Sequence, residues 1–111
     1  MAGNFELYKD KAGEYRFRLK DGDGNALLVG EGYKAKGSAE NGIESIRKNA
    51  SSDERYERKE TSNGKYMFNL KAANGQIIGT SGQFGSEADR DNAIASVRQN
   101  APGAGVDDRT G

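Results

Sequence analysis

Slid along itself by 51 positions, the chain matches itself without a gap, residues 5–50 lying on 56–101. Glu6 meets Glu57, Gly13 Gly64, Tyr15 Tyr66, Phe17 Phe68, Leu19 Leu70, Lys20 Lys71 and Gly24 Gly75. Further on, Asn41 meets Asn92, Ile43 Ile94, Ser45 Ser96, Arg47 Arg98, Asn49 Asn100 and Ala50 Ala101. A match that runs through turns as well as apolar positions marks a duplication. Whatever the chain folds into must be something that one short unit can build twice.

The unit is legible from its periods. Phe5–Tyr8 and Tyr15–Lys20 alternate apolar with polar, so Tyr15, Phe17 and Leu19 face a core while Arg16, Arg18 and Lys20 face outward. Gly13 and Gly64 close the first hairpins; Asp23-Gly24 and Asn74-Gly75 suit turns that need positive φ. Ala26–Val29 and Ile77–Thr80 are third strands. After Tyr33 and Phe84 the spacing becomes helical: Ala39, Gly42, Ile43, Ile46 and Ala50 share one face, as do Ala93, Ile94, Val97 and Ala101. Ser86 with Asp89 predicts a helix start, and Asn49 and Asn100 suit the left-handed residue beyond a helix end.

A three-stranded meander with one helix leaves its aromatic face half covered, so neither copy is a domain. At 111 residues the chain affords one modest core. The expected fold is α+β: a single domain over 1–111 with one antiparallel sheet of about six strands and both helices packed on one face. Its parts are repeat one at 5–50, a linker at 51–55, repeat two at 56–101 and a largely disordered tail at 103–111. Within that tail, Val106–Arg109 falls in register with Arg55–Arg58 and is a candidate edge strand.

Several chemistries are poorly provided for. The chain has neither cysteine nor histidine, which removes thiolate nucleophiles, disulfides, zinc–thiolate sites and the usual acid–base group of neutral pH. Catalysis, cofactors and resident metals are therefore not expected. Asp21-Gly22-Asp23-Gly24-Asn25 opens like a calcium loop, but Ala26 and Gly32 stand where that loop needs glycine and glutamate, and a hairpin turn is the better reading. Acidic and basic residues balance at 17 each, so no global field attracts nucleic acid or anionic membrane. The N-terminal residues show no signal-peptide pattern and no apolar run reaches membrane-spanning length, which makes a soluble cytoplasmic monomer the expectation.

The opening Gly3–Leu7, the segment Asn63–Gly75 and the twice-occurring helix motif Asn41–Arg47 and Asn92–Arg98 resemble the YegP-like family of small bacterial proteins, over nearly the whole chain. Ala93 departs from the usual glycine of the motif. The resemblance implies tandem β-β-β-α-β units that complete one sheet by exchanging their last strands. It supplies no catalytic or binding residues.

Two surfaces remain as candidates. On the helices, Asn41, Ser45 and Asn49, with Asn92, Ser96 and Asn100, form polar ladders flanked by Arg47 and Arg98; their structural role is capping, their functional role a groove for a protein or small polar ligand. On the outer sheet face, Arg16, Arg18 and Lys20 with Tyr8 and Lys71 have the chemistry to hold a single nucleic-acid strand, against the negative charge of Glu6 and Glu57. The expected function is a non-catalytic binding or protein-interaction module, the alternative weak single-stranded nucleic-acid binding.

Overall fold

A computed structural model describes residues 3–110. The first copy forms β1 (Asn4–Lys9), β2 (Tyr15–Lys20), β3 (Ala26–Val29) and α1 (Lys36–Asn49), and the second β4 (Tyr56–Glu60), β5 (Tyr66–Lys71), β6 (Ile77–Thr80) and α2 (Glu87–Asn100). A final strand, β7, spans Gly105–Asp108. The hairpin glycines work as read: Gly13, Gly24, Gly64 and Gly75 have φ of 83, 88, 79 and 84°, a region closed to most side chains.

All strands join one sheet in the order β4-β5-β6-β3-β2-β1-β7. Six are antiparallel neighbours, as expected. The seventh corrects the expectation of a wholly antiparallel sheet: β7 joins β1 in parallel, Gly105 opposite Asn4 through Asp108 opposite Leu7. It is the candidate edge strand of Val106–Arg109, formed over Gly105–Asp108 in a tail otherwise expected to be disordered. The reason is tertiary. Leu7 is fully buried and needs a cover, and β7 is fastened by the Arg109 amide to the Leu7 carbonyl at 2.8 Å and by Lys36 to Asp108 at 2.5 Å. The Arg47 guanidinium holds the Ala104 carbonyl at 2.5 Å.

Both helices cover the same face. The core holds Phe5, Leu7, Phe17, Leu19 and Leu28 from the first three strands, Phe68 and Leu70 from the second meander, and Ile43, Ile46, Ile94 and Val97 from the helices. Phe17 stacks on Tyr33 with centroids 6.3 Å apart, and Phe68 on Phe84 at 6.4 Å, so the duplication extends to ring geometry. The helices reach across the seam, α1 onto β5 and β6 and α2 onto β3. At the seam itself β3 and β6 share one register pair, Val29 with Thr80. There Leu28 lies over Gly79, whose missing Cβ would stand 2.6 Å from a Leu28 methyl. These two positions are equivalents in the duplication, large in one copy and absent in the other.

Helix ends differ in one respect from the sequence reading. The Ser86 hydroxyl accepts from the Asp89 amide at 3.1 Å, the expected cap. Asn49 and Asn100, however, are not left-handed: among the described residues only glycines have positive φ. Each instead donates its side-chain amide to the carbonyl four residues back, on Ser45 and Ser96, at 2.8 Å. Their carboxamide oxygens are thereby aimed outward, Asn100 to the buried Gly3 amide at 2.8 Å and Asn49 to Arg55 at 3.0 Å.

Candidate functional site

The duplication is broken at the sheet edges. On the first half, β7 covers β1 and sets the half-exposed Val106 beside Glu40, Ile43, Glu44 and Arg47, lining a cleft of about 150 Å³. On the second half no described strand covers β4. The equivalent cleft is open, about 390 Å³, and its walls are Asp53, Arg58, Asp91, Ile94, Ala95, Arg98 and Gln99. A shift of 51 carries Glu40 to Asp91, Ile43 to Ile94, Glu44 to Ala95 and Arg47 to Arg98. The two clefts are thus equivalent positions, narrowed by the chain's own β7 on one side and covered by no described strand on the other.

One side of the open site is the backbone edge of β4. The Thr61 amide bonds the Lys65 carbonyl at 2.7 Å, and with the register of β4 on β5 this fixes the antiparallel alternation. Glu57 and Lys59 turn their backbone groups toward β5; Arg58 turns its N–H and C=O to the free edge. Tyr56 faces the same way, but its N–H is taken by the Asp53 carbonyl. Leu7, the counterpart of Arg58, accepts a β7 hydrogen bond at the corresponding place.

Charge lines the walls. Arg58 spans the cleft mouth between Asp53 at 2.9 Å and Asp91 at 3.3 Å. Arg98 reaches the Ser51 carbonyl at 3.2 Å and Asp53 at 3.7 Å. The hydrogen bond from Arg58 holds the Asp53 carboxyl below its ordinary range. Ile94 supplies the buried apolar patch beneath them.

The helix residues singled out in the sequence do not form one ladder-shaped groove. Arg98 lines the open cleft, whereas Arg47 lies over the Phe5 ring at 5.4 Å and secures the approach to β7. Ser45 and Ser96 receive the asparagine bonds described above, and Ser96 also borders a separate depression with Asp21, Asp23 and Asn100. Asn41 and Asn92 are exposed. Asp21 spends its carboxylate on its own turn, accepting from the Asp23 and Asn25 amides at 2.9 Å, which lowers its pKa.

The outer sheet face is a set of ion pairs. Glu6 meets Lys20 at 3.0 Å, Arg18 at 3.3 Å and Arg109 at 3.6 Å; Glu57 meets Lys71 at 2.9 Å and Asn69 at 3.1 Å. Arg16 is paired with Asp10 at 2.7 Å, and the Tyr8 ring lies under the Arg18 guanidinium at 4.4 Å. The hydrogen bonds from Lys20 and Lys71 lower the pKa of Glu6 and Glu57 respectively. Every member of the proposed nucleic-acid face is therefore engaged within the protein.

The open cleft and its edge were not among the sequence candidates. A signal for them exists, in the failure of the repeat at one inward position: Leu7 becomes Arg58. A second residue missed was Arg90, which replaces the small Ala39, is nearly buried, and lies 5.7 Å from the Tyr66 ring.

These features define a class: a duplicated α+β module whose halves complete a common sheet, with one sheet edge closed by the chain itself and one open. The chain belongs to the family described as "Domain of unknown function (DUF1508)", whose model matches it twice, at residues 10–57 and 61–108. It is 57% identical over 106 residues to a UPF0339 protein in the ptx operon 5' region of Stutzerimonas stutzeri, covering 96% of each chain. It is 50% identical to the UPF0339 protein YegP of Escherichia coli K12, covering 99% of this chain and 100% of that one. Two solution NMR structures share the fold: E. coli yegP, with a TM-score of 0.95 over 100% of this chain and 96% of that one, and a UPF0339 protein of Shewanella oneidensis, 44% identical, with a TM-score of 0.93 over 99% and 93%. Among the described residues no helix is long and apolar enough to cross a membrane.

Proposed function

We propose that this protein is a non-catalytic, cytoplasmic, monomeric binding module that works through the cleft between α2 and the free edge of β4. The observation behind this is the pair of equivalent clefts, one already occupied by polypeptide. A site built to hold chain on one half has kept its apolar floor at Ile94 and its arginine at Arg98 on the other. An uncovered strand edge is ordinarily a hazard, guarded by charge, and Arg58, Lys59 and Glu60 provide that guard here. The nucleic-acid reading is weaker because a phosphate backbone needs cations whose partners are counterions, not protein carboxylates.

Ala95 is exposed on the rim, so Ala95→Arg narrows the cleft without touching the core. The expected result is retention of a cellular protein on the immobilised wild-type chain, lost with Ala95→Arg at unchanged melting temperature. Equal retention by both would refute the assignment of the site.

A further inference from the structure

We infer that the β4 edge takes up an extended segment of a partner protein as an eighth strand, parallel to β4, in the register that β7 adopts on β1. The inference rests on the reading above and adds to it the chemistry of the occupant. Strand addition to a free edge is a general mode of peptide recognition in which backbone bonds give affinity and alternate side chains give selectivity.

The chain itself supplies the template. On β1, Gly105, Val106, Asp107 and Asp108 lie opposite Asn4, Phe5, Glu6 and Leu7. A shift of 51 places an equivalent segment opposite Tyr56, Glu57 and Arg58, its first residue falling beside Arg55 of the Asp53–Arg55 3-10 turn, so that Tyr56 offers only its carbonyl and Arg58 both backbone groups. Residues at the same level of a parallel pair point to the same side of the sheet. The second position of the segment then enters the cleft over Ile94, as Val106 enters beside Ile43, and it should be apolar.

The fourth position follows Asp108. In the first half that carboxylate is met by Lys36 at 2.5 Å, and Leu7 beneath it is neutral. In the second half Glu87 stands in place of Lys36, and the cation has moved onto the strand as Arg58. An acidic side chain at the fourth position would draw Arg58 from Asp53 and Asp91 and open the cleft mouth. The fifth position follows Arg109, which reaches Glu6 at 3.6 Å. Glu57 is preserved in that place, so a base is favoured there. The occupant is thus an extended segment with an apolar residue, then an acid two positions on, then a base. The charged guard becomes the selector: a segment that offers Arg58 no carboxylate leaves the cleft mouth bridged by its existing ion pairs.

A synthetic peptide of residues 103–110 of this chain is the probe, titrated into the isotope-labelled full-length protein. The expected result is saturable amide shifts at Arg55–Lys59, Ile94, Ala95 and Arg98, with β1 and Lys36 unmoved. The peptide bearing Val106→Asp, or that bearing Asp108→Lys, should bind about fivefold more weakly, the top of the range for one cross-strand pair. Protein Arg58→Leu, which restores the first-half residue and keeps the edge amide, should bind the peptide but lose the discrimination between Asp and Lys. Arg58→Pro, which removes that amide at a site facing away from β5, should abolish binding. No saturable shift by about 2 mM peptide, or shifts confined to β1 through displacement of β7, would overturn the inference. If the peptides fail while Ala95→Arg still loses its retained partner, the cleft remains a binding site and strand addition is wrong. If both fail, so is the cleft.

Discussion

The seam between the halves offers the sharpest energetic test of the duplication. Leu28 is about 1% exposed, and its branched end occupies the space above Gly79, with Cδ2 at 2.6 Å, Cγ at 2.7 Å and Cδ1 at 3.3 Å from the position a Cβ would take. Gly79→Ala alone therefore overpacks the seam, at about 1–3 kcal/mol, offset by about 0.4–1 kcal/mol from the stiffer unfolded chain. Leu28→Ala alone leaves a cavity at about 2–5 kcal/mol. In the double variant all the atoms that crowd the new methyl are gone, so that methyl enters the void and the overpacking cost vanishes. The double variant should be no less stable than Leu28→Ala, which means a coupling of about 1–3 kcal/mol between the sites. Urea unfolding followed by far-ultraviolet circular dichroism measures all four corners of the cycle, with an unchanged slope confirming a common unfolded state. A stable Gly79→Ala protein, or costs that add to within about 0.5 kcal/mol, would show that the halves do not meet through this pair.

Other outcomes follow from individual contacts. Asn100→Ala strips the buried Gly3 amide of its acceptor and should cost about 1–3 kcal/mol, whereas Asn49→Ala loses a bond to the partly exposed Arg55 and should cost less; chemical denaturation ranks them. Glu6 has a folded pKa below its ordinary value of about 4.3 because Lys20 bonds it. Its contribution to stability is accordingly full above that value and is lost as pH falls through the folded pKa. Carboxyl-carbon NMR titration should show the lowered midpoint, and Glu6→Gln should flatten this part of the acid limb of the stability curve; an ordinary midpoint would contradict the ion-pair cluster. The fragment of residues 1–52 lacks the strands that α1 packs against across the seam and should show neither a cooperative melt nor dispersed spectra as a monomer.

Much of this fold was legible because its signals are local. Tyr15, Phe17 and Leu19 declare their inward face by alternation, and glycines at 13, 24, 64 and 75 mark turns by a conformational need that few other residues meet. What the sequence left open, as with the candidate strand at Val106–Arg109, or missed altogether was decided at long range. Val106 is the one apolar residue of β7 in an otherwise glycine-rich and polar stretch, and its strand state is conferred by a bare β1 edge about a hundred residues away in sequence. Asparagine favours the left-handed conformation, which is why Asn49 and Asn100 suggest caps from sequence alone. The structure gives their carboxamides a second partner instead, which keeps them helical. Arg90 broke the apolar stripe of α2, and the Tyr66 ring beneath its guanidinium together with Asp91, at 3.2 Å, explains why a nearly buried arginine is tolerated. The cleft is the negative of a strand, so no residue pattern announces it directly. Its trace is comparative, an arginine where the other copy has a leucine.

Because β7 lies against β1, the outer edge of β1 is completed only by a strand about a hundred residues later in the chain. The N-terminal meander can form its hairpins early, yet Phe5 and Leu7 must wait for residues 105–109 before their outer edge is closed. The second meander is under no such delay, since no described strand closes its outer edge. Synthesis thus exposes two sticky edges in succession, one apolar until β7 arrives, the other charged and covered by no described strand. Where β1 differs from β4, the difference follows that schedule: leucine is tolerable on an edge that will be sealed, and arginine stands on the one that no described strand covers.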